Sequence, residues 1–315
     1  MYTIYMSNGE GGIDMPQQVD SGEGGTDILH QTEILWQDPQ TVSFSLRRHA
    51  EKRAAEPRGG LSTEGIPATQ SAAAEWVHHL PAHAHVTLVE SPSPMPGATI
   101  QRGGRDYTPM PARAQMTGSI YRRALVDASS SQGGDGSGDS AVVLEDRQQE
   151  KLLGDYFETC NRPPGEYFKA LSASYGRTTP QFWTDFFEGH LSQSVQEASD
   201  ACGLSSAQDL SRNMATFIAT TTDDITSGAP QTEPRKHVIL GITHEENLGG
   251  FMHSLARYVE SSGNPLLAQK LRDRRFGYND GIDIHIPASK DGPQVASIVV
   301  DGSVISIPLE ELRKL

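Results

Sequence analysis

A strand that ends on two arginines and a histidine is the feature that most constrains the fold of this chain. Apolar residues alternate with serines over 42–46, which predicts a strand with one buried face. Arg47, Arg48 and His49 follow this strand directly. In open α/β sheets, ligands bind beside the carboxyl ends of the strands. The pattern therefore predicts either one corner of a ligand site or a solvated strand end with a chance histidine.

A second predicted strand ends in the same way. Residues 237–243 form a short apolar run typical of a central strand, and His244 comes directly after it. Two imidazoles at such an edge could work as a pair, with one attacking phosphorus and the other stabilising the transferred phosphoryl group. Arginine supplies the permanently charged donors that phosphate oxygens require. The pairing of His49 with His244 favours a functional interpretation of both.

The negative charge of the chain is unevenly distributed. Its formal net charge is −14, and the first 40 residues contain seven Asp or Glu and no Lys or Arg. We therefore predict a disordered acidic tail over 1–38 and a single folded domain over 39–315. The acidic surface argues against nucleic acid as a partner. No apolar run reaches the roughly 18 residues of a membrane span, and the N-terminus lacks signal-peptide features, so we expect a cytoplasmic protein.

Strands and helices alternate along the folded part, which predicts the α/β class. Within the domain, a Gly/Ser/Asp-rich flexible insert is predicted over 129–141, and an all-helical segment over 164–226. The terminal strands form an antiparallel piece, and its edge could pair with a second copy in a homodimer. The other predicted elements are a helix over 66–77, a strand over 84–89, and terminal strands over 282–286, 295–300 and 304–307, with a turn at Asp301-Gly302.

The order of five short motifs resembles that of the histidine phosphatase superfamily, which includes the cofactor-dependent phosphoglycerate mutases. Residues 46–52 resemble the Arg-His-Gly signature, with Ala50 in place of glycine. Glu150 lies four residues before a glycine, as in the segment that carries the acid of the family. The remaining motifs are 61–65, similar to Leu-Thr-x-x-Gly, 89–98, similar to Ser-Pro-x-x-Arg-Ala, and 242–244, similar to the second histidine motif.

This resemblance implies a three-layer α/β/α sandwich with a mostly parallel central sheet, and a cap formed by the 164–226 helices. It implies that His49 is the nucleophile and forms a phosphohistidine, while Arg48 and His244 hold the phosphate. Glu150 would protonate the leaving group and then activate water. The expected activity is that of a metal-independent phosphomonoesterase, without a cofactor, acting on a small phosphorylated metabolite or a phosphoprotein.

The Ser-Pro-x-x-Arg-Ala motif departs from the pattern of the family because its arginine is missing. Gly97 takes its place if Ser93-Pro94 is the matching pair, and Met95 if Ser91-Pro92 is; we favour the first because Ala98 then follows. Loss of this guanidinium would weaken catalysis, so a second hypothesis is a weakly active or inactive relative that binds phosphate or a protein. The candidates to replace the missing guanidinium are Arg102, Arg105 and Arg47.

Overall fold

The computed structural model describes thirteen separate stretches of the chain, and the elements below lie within them. The stretches are 2–4, 17–19, 33–50, 61–92, 100–102, 105–107, 113–132, 142–144, 148–154, 165–176, 179–227, 236–288 and 294–315. The strands are β1 (Tyr2–Ile4), β2 (Gln17–Val19), β3 (Thr41–Arg48), β4 (His85–Glu90), β5 (Ile100–Arg102), β6 (Arg105–Tyr107), β7 (Val143–Leu144), β8 (Gln148–Gln149), β9 (His237–Thr243), β10 (Gly281–Pro287), β11 (Val295–Val300) and β12 (Ser303–Pro308). The helices are α1 (33–37), α2 (Gly65–His78), α3 (Arg113–Gln132), a 3-10 turn (Lys151–Leu153), α4 (Gly165–Tyr175), α5 (Pro180–Glu188), α6 (Gln193–Cys202), α7 (Ala207–Ser227), α8 (Glu245–Ser261), α9 (Pro265–Asp273) and α10 (Leu309–Leu312).

The central sheet is mixed, which corrects the prediction of a mostly parallel one. Its strands lie in the order β12-β11-β10-β3-β9-β4-β7, and β8 also pairs with β4. The β3, β9, β4, β7 and β8 pairings are parallel, whereas β10, β11 and β12 run antiparallel to their neighbours. In the β3–β9 pair, Arg48 lies opposite Thr243. His49 and His244 therefore leave neighbouring strands side by side.

Helices pack on both faces of this sheet, because the residues of its inner strands point alternately to the two sides. Val238, Leu240 and Ile242 pack with α2 and α3, whereas Ile239 packs with α7 and α8. All four are at most 2% exposed. Burying each of these apolar side chains contributes about 1.5–3 kcal/mol. This is the α/β architecture, with helices on both sides of the sheet.

The all-helical segment is divided between two packing units. The helices α4, α5 and α6 bury their own apolar cluster, in which Phe182 is fully buried. The helix α7 adds Ala207 and Leu210 to that cluster, but from Met214 onward its buried apolar residues pack against the sheet in the same core as α8. It is therefore a layer of the main domain, and the predicted cap over 164–226 is too long at its C-terminal end. The covering of the site by α4–α6 stays a prediction.

Folded structure begins earlier than the predicted tail allows. Residues 33–37 form α1, and Trp36 packs into the core between α2, α3 and the sheet. The buried Lys236 ammonium donates to the carbonyl oxygens of Leu35 at 2.9 Å and Asp38 at 3.1 Å. The predicted 1–38 tail therefore ends too late. The predicted 129–141 insert likewise starts too early, because α3 continues to Gln132, and 133–141 lie outside the described residues.

The buried side chains of His253 and His285 should make the folded protein less stable in acid. Burial lowers the pKa of His253 and of His285 to about 4, helped by Arg275 near His253 and by Lys236 near His285. The unfolded chain takes up these protons near pH 6.5, whereas the folded chain does not, so stability falls as the pH falls. Each histidine should remove about 2 kcal/mol from the free energy of unfolding between pH 7 and 5.

Urea unfolding at the two pH values measures this effect. The His285→Asn variant should lose about 2 kcal/mol less than the wild type between pH 7 and 5. His190→Asn is the control, because the His190 side chain is 72% exposed. Equal pH dependence in wild type and His285→Asn would contradict the prediction.

Candidate active site

His49 and His244 lie against each other at the carboxyl edge of the sheet. Their ring centroids are 4.9 Å apart and their planes are 75° from parallel. Both residues are buried, with 3% and 5% exposure. The backbone N–H of His49 donates to the carbonyl oxygen of Thr243 at 3.0 Å, which continues the β3–β9 pairing past the last strand residue. Local strand pairing therefore sets the distance between the two imidazoles.

The orientation of the His49 ring leaves one nitrogen for chemistry. Its Nδ1 lies 2.9 Å from the carbonyl oxygen of Ala50. A carbonyl oxygen can only accept a hydrogen bond, so Nδ1 carries the proton and donates it. In this neutral tautomer the lone pair is on Nε2. The His49 side chain is thus arranged as a nucleophile.

The electrostatic surroundings keep His49 neutral. Burial, the neighbouring His244, and then the Arg113 and Arg48 guanidinium groups lower the pKa of His49 well below its usual value. The hydrogen bond to Ala50 acts in the opposite direction but is outweighed. A neutral imidazole is the form that can attack phosphorus. Cationic neighbours that would bind a phosphate therefore also maintain the nucleophile.

His244 is held by the third strand of this edge. Its Nε2 lies 2.7 Å from the hydroxyl of Ser91, which directly follows β4. The backbone N–H of Ser91 donates to the carbonyl oxygen of Ile242 at 2.9 Å. Consequently the ends of β3, β9 and β4 meet at one place, as expected for a ligand site in a sheet of this kind.

Arg48 lies beside this pair and is bound by three groups of the protein. Its Nη2 pairs with the carboxylate of Glu245 at 3.0 Å, and its Nη1 donates to the carbonyl oxygen of Phe276. The guanidinium also lies over the Tyr278 ring, 4.4 Å from its centroid. The Arg48 and Glu245 side chains are 17% and 19% exposed. A phosphate would therefore meet an arginine that already has a carboxylate partner.

None of the three arginines predicted to replace the missing guanidinium is seen beside His49 in the described structure. Arg47 points to the α2–α3 side of the sheet, because side chains alternate along β3, and it pairs with Asp283 of β10 at 2.6 Å. This ion pair occupies Arg47 away from Arg48. Arg102 and Arg105 pair within the β5–β6 hairpin, and the described structure does not include their side chains. Gly97 and Met95 lie outside the described residues.

Arg113 is the site residue that the sequence reasoning missed. It is the first residue of α3, and its charge lowers the pKa of His49. One turn further, the Thr117 hydroxyl oxygen accepts a hydrogen bond from the backbone N–H of Ala50 at 3.0 Å. The beginning of α3 is thereby joined to the residue after His49. Arg113 therefore places a positive charge close enough to act on His49.

A sequence signal for Arg113 was present. Arg113-Ala114 has the sequence of the Arg-Ala pair expected in the motif, and a longer segment that includes the β5–β6 hairpin separates it from Ser91-Pro92. The alignment over Ser93-Pro94 and Gly97 falls on residues outside the described stretches and stays a prediction. The structure brings the two halves together because β4 and α3 pack in the same core.

Glu150 begins the 3-10 turn that lies against the same strand ends. Its backbone N–H donates to the carbonyl oxygen of Glu90 at 2.9 Å, and its Oε1 accepts from the Leu152 N–H at 2.8 Å. Asn247 of α8 donates to the carbonyl oxygen of Gly154 at 2.8 Å. These bonds attach the 150–154 segment to the end of β4 and to the helix that follows His244. The half-buried Glu150 side chain is thus carried by the same edge as the histidines.

Within the described stretches, no group of three or more His, Cys, Asp or Glu side chains is arranged to hold a metal ion. None of the helices in the same stretches is long and apolar enough to cross a membrane.

No family model and no curated protein matches the chain. Solved structures do match, and three of them illustrate the range of TM-scores and of protein types. A protein called mycobacterial hydrolase 2 is 12% identical, with a TM-score of 0.47, and the match covers 87% of this chain and 95% of that one. Mycobacterial glucosyl-3-phosphoglycerate phosphatase is 12% identical, with a TM-score of 0.44 and coverage of 78% and 91%. Phosphoglycerate mutase from Plasmodium falciparum is 13% identical, with a TM-score of 0.30 and coverage of 84% and 97%.

The names of these structures include a phosphatase and a phosphoglycerate mutase. Every identity given is below 25% and every TM-score is below 0.5. These likenesses therefore assign neither an activity nor a substrate to this chain. An assignment has to rest on the residues of the site itself.

Proposed function

We propose that this protein is a histidine phosphatase that hydrolyses phosphate monoesters without a metal. The observation that carries the proposal is the buried His49–His244 pair, with ring centroids 4.9 Å apart and His49 Nδ1 donating to Ala50. Support comes from the motif order in the sequence and from two arginines whose charges act on His49, Arg48 and Arg113.

The proposed reaction has two steps. The His49 Nε2 attacks phosphorus while the bond from phosphorus to the ester oxygen breaks, and Glu150 protonates the departing oxygen. Water then attacks the phosphohistidine, Glu150 accepts its proton, and the bond from phosphorus to nitrogen breaks to release inorganic phosphate. Arg48, Arg113 and His244 stabilise the charge on the transferred group. A small phosphorylated metabolite or a phosphoprotein would be the substrate.

A second candidate is a module that binds phosphate without turning it over. One observation favours weak or absent turnover, namely the ion pair between Arg48 and Glu245, which occupies a guanidinium that would stabilise the transferred group. Such a module would retain phosphate affinity but form no covalent intermediate.

Hydrolysis of p-nitrophenyl phosphate in excess EDTA separates the two candidates. The phosphatase proposal expects turnover that His49→Asn lowers by at least about 1000-fold, since the nucleophile is removed. It also expects acid-labile radioactive phosphate on wild-type protein quenched during turnover, and none on His49→Asn. His190→Asn, which changes an exposed histidine, is the control and should retain full activity. Phosphate binding without turnover or label would instead support the binding module.

A further inference from the structure

The contacts of Arg48 place a carboxylate in competition with any phosphate at this site. Its Nη1 donates to Phe276 and its Nη2 pairs with Glu245. Its Nε is buried and has no hydrogen-bond partner among the described residues. A bidentate phosphate contact uses two N–H groups on one edge of a guanidinium, and the free Nε shares its edge with Nη2. A phosphate that takes both must compete with Glu245 for Nη2, either sharing that nitrogen with the carboxylate or displacing it.

If phosphate displaces Glu245 from Arg48, the Glu245 carboxylate loses its cationic partner in a largely enclosed place. Its side chain is only 19% exposed. A partly buried carboxylate that loses its partner is destabilised, because little water can replace the lost interaction. A substrate with a positive charge near the ester oxygen would restore a partner, whereas a neutral substrate would not. The energy difference between these two cases is a basis for selectivity.

The surroundings of Arg48 favour a cation beside the phosphate. Arg48 contacts both Glu245 and the Tyr278 ring. Tyr278 is 43% exposed and offers an aromatic surface at this place. Aromatic faces and carboxylates are the groups that bind ammonium ions. The net charge of −14 repels anionic substrates, and this repulsion is weaker for those that are less negative overall.

We infer that Glu245 is a specificity-determining residue, and that it selects phosphate monoesters whose alcohol carries an ammonium group close to the ester oxygen. This inference rests on the proposed phosphatase function and names its substrate class. In the unliganded site Glu245 holds Arg48, and in the complex it faces the substrate ammonium. The leaving alcohol is therefore an amino alcohol, and the hydrolysis steps are unchanged.

Two isosteric esters test the inference, O-phosphoethanolamine and 2-hydroxyethyl phosphate. The wild type should prefer the first by about tenfold in kcat/KM, and Glu245→Gln should reduce this ratio to about one. The same variant should gain affinity for inorganic phosphate as a competitive inhibitor, because Arg48 is released. Glu246→Gln, which changes the next residue of the same helix turn, is the matched control and should keep the wild-type ratio.

The outcomes separate this inference from the function on which it rests. Turnover of p-nitrophenyl phosphate that depends on His49, together with an equal ester ratio in wild type and Glu245→Gln, would overturn the inference alone. Loss of activity on both esters without a change in ratio would also overturn it, because Glu245 would then only position Arg48. Absence of any His49-dependent turnover would overturn the proposed function, and the inference with it.

Discussion

Arg113→Ala is expected to lower kcat/KM for p-nitrophenyl phosphate by about 100- to 1000-fold, the usual effect of removing one preorganised donor from a transition state. Arg113 begins α3, and its guanidinium already acts on the pKa of His49. In the transition state the charge is spread over three equatorial oxygens of a nearly planar phosphoryl group, so a fixed guanidinium placed for that geometry stabilises the transition state more than the ground state. The fall should therefore appear mainly in kcat.

Two further variants make this prediction specific. Arg113→Lys should recover only part of the rate, since a lysine ammonium retains the charge but not the planar pair of donors. Arg122→Ala changes an exposed arginine of the same helix and should leave kcat/KM unchanged. The free energy of unfolding, measured in urea, should be the same for all three variants within about 1 kcal/mol. If Arg113→Ala keeps the wild-type kcat/KM, Arg113 is not part of the phosphate site.

Arg113 also illustrates which features of the site can be predicted from the sequence and which cannot. Strands 41–48 and 237–243 were predictable because their patterns are local, and each is followed directly by its histidine. The closeness of the segments around Ser91 and Arg113 was not, because a segment whose length no local rule sets separates them in the sequence. The packing of β4 against α3 in one core brings them together.

Contacts between distant segments account for the other differences. The mixed character of the sheet depends on β10, which pairs antiparallel with β3 from more than two hundred residues away. Alternating patterns predict the two strands but not their relative direction. The Arg48–Glu245 ion pair likewise joins two segments that are distant in the sequence, the end of β3 and the start of α8. Arg47 and Arg48 look equivalent in the sequence, and only the alternation along β3 and these partners distinguish them.

The join between β3 and β10 is also where a single methyl group should have the largest effect on stability. Gly281 lies opposite Arg47 in this pair, and the Arg48 N–H donates to the carbonyl oxygen of Asp280 at 2.8 Å. A Cβ added at Gly281 would lie 2.8 Å from the carbonyl carbon of Leu46, and closer still to its oxygen. Backbone atoms in a paired strand cannot move aside as a flexible side chain can. The two strands would have to separate where Arg48 and His49 leave the sheet.

Gly281→Ala is therefore expected to lower the free energy of unfolding by about 3 kcal/mol, measured by urea denaturation. Gly277→Ala provides a matched control four residues away, because the nearest atom to an added Cβ there is the Asp280 Cβ, at 4.0 Å. It should be neutral or stabilising by up to about 1 kcal/mol, through reduced entropy of the unfolded chain. Equal stability of the two variants would show that the strands can separate here without cost. A selective loss in Gly281→Ala, together with reduced activity on p-nitrophenyl phosphate in the fraction that stays folded, would show that the β3–β10 contact sets the position of His49.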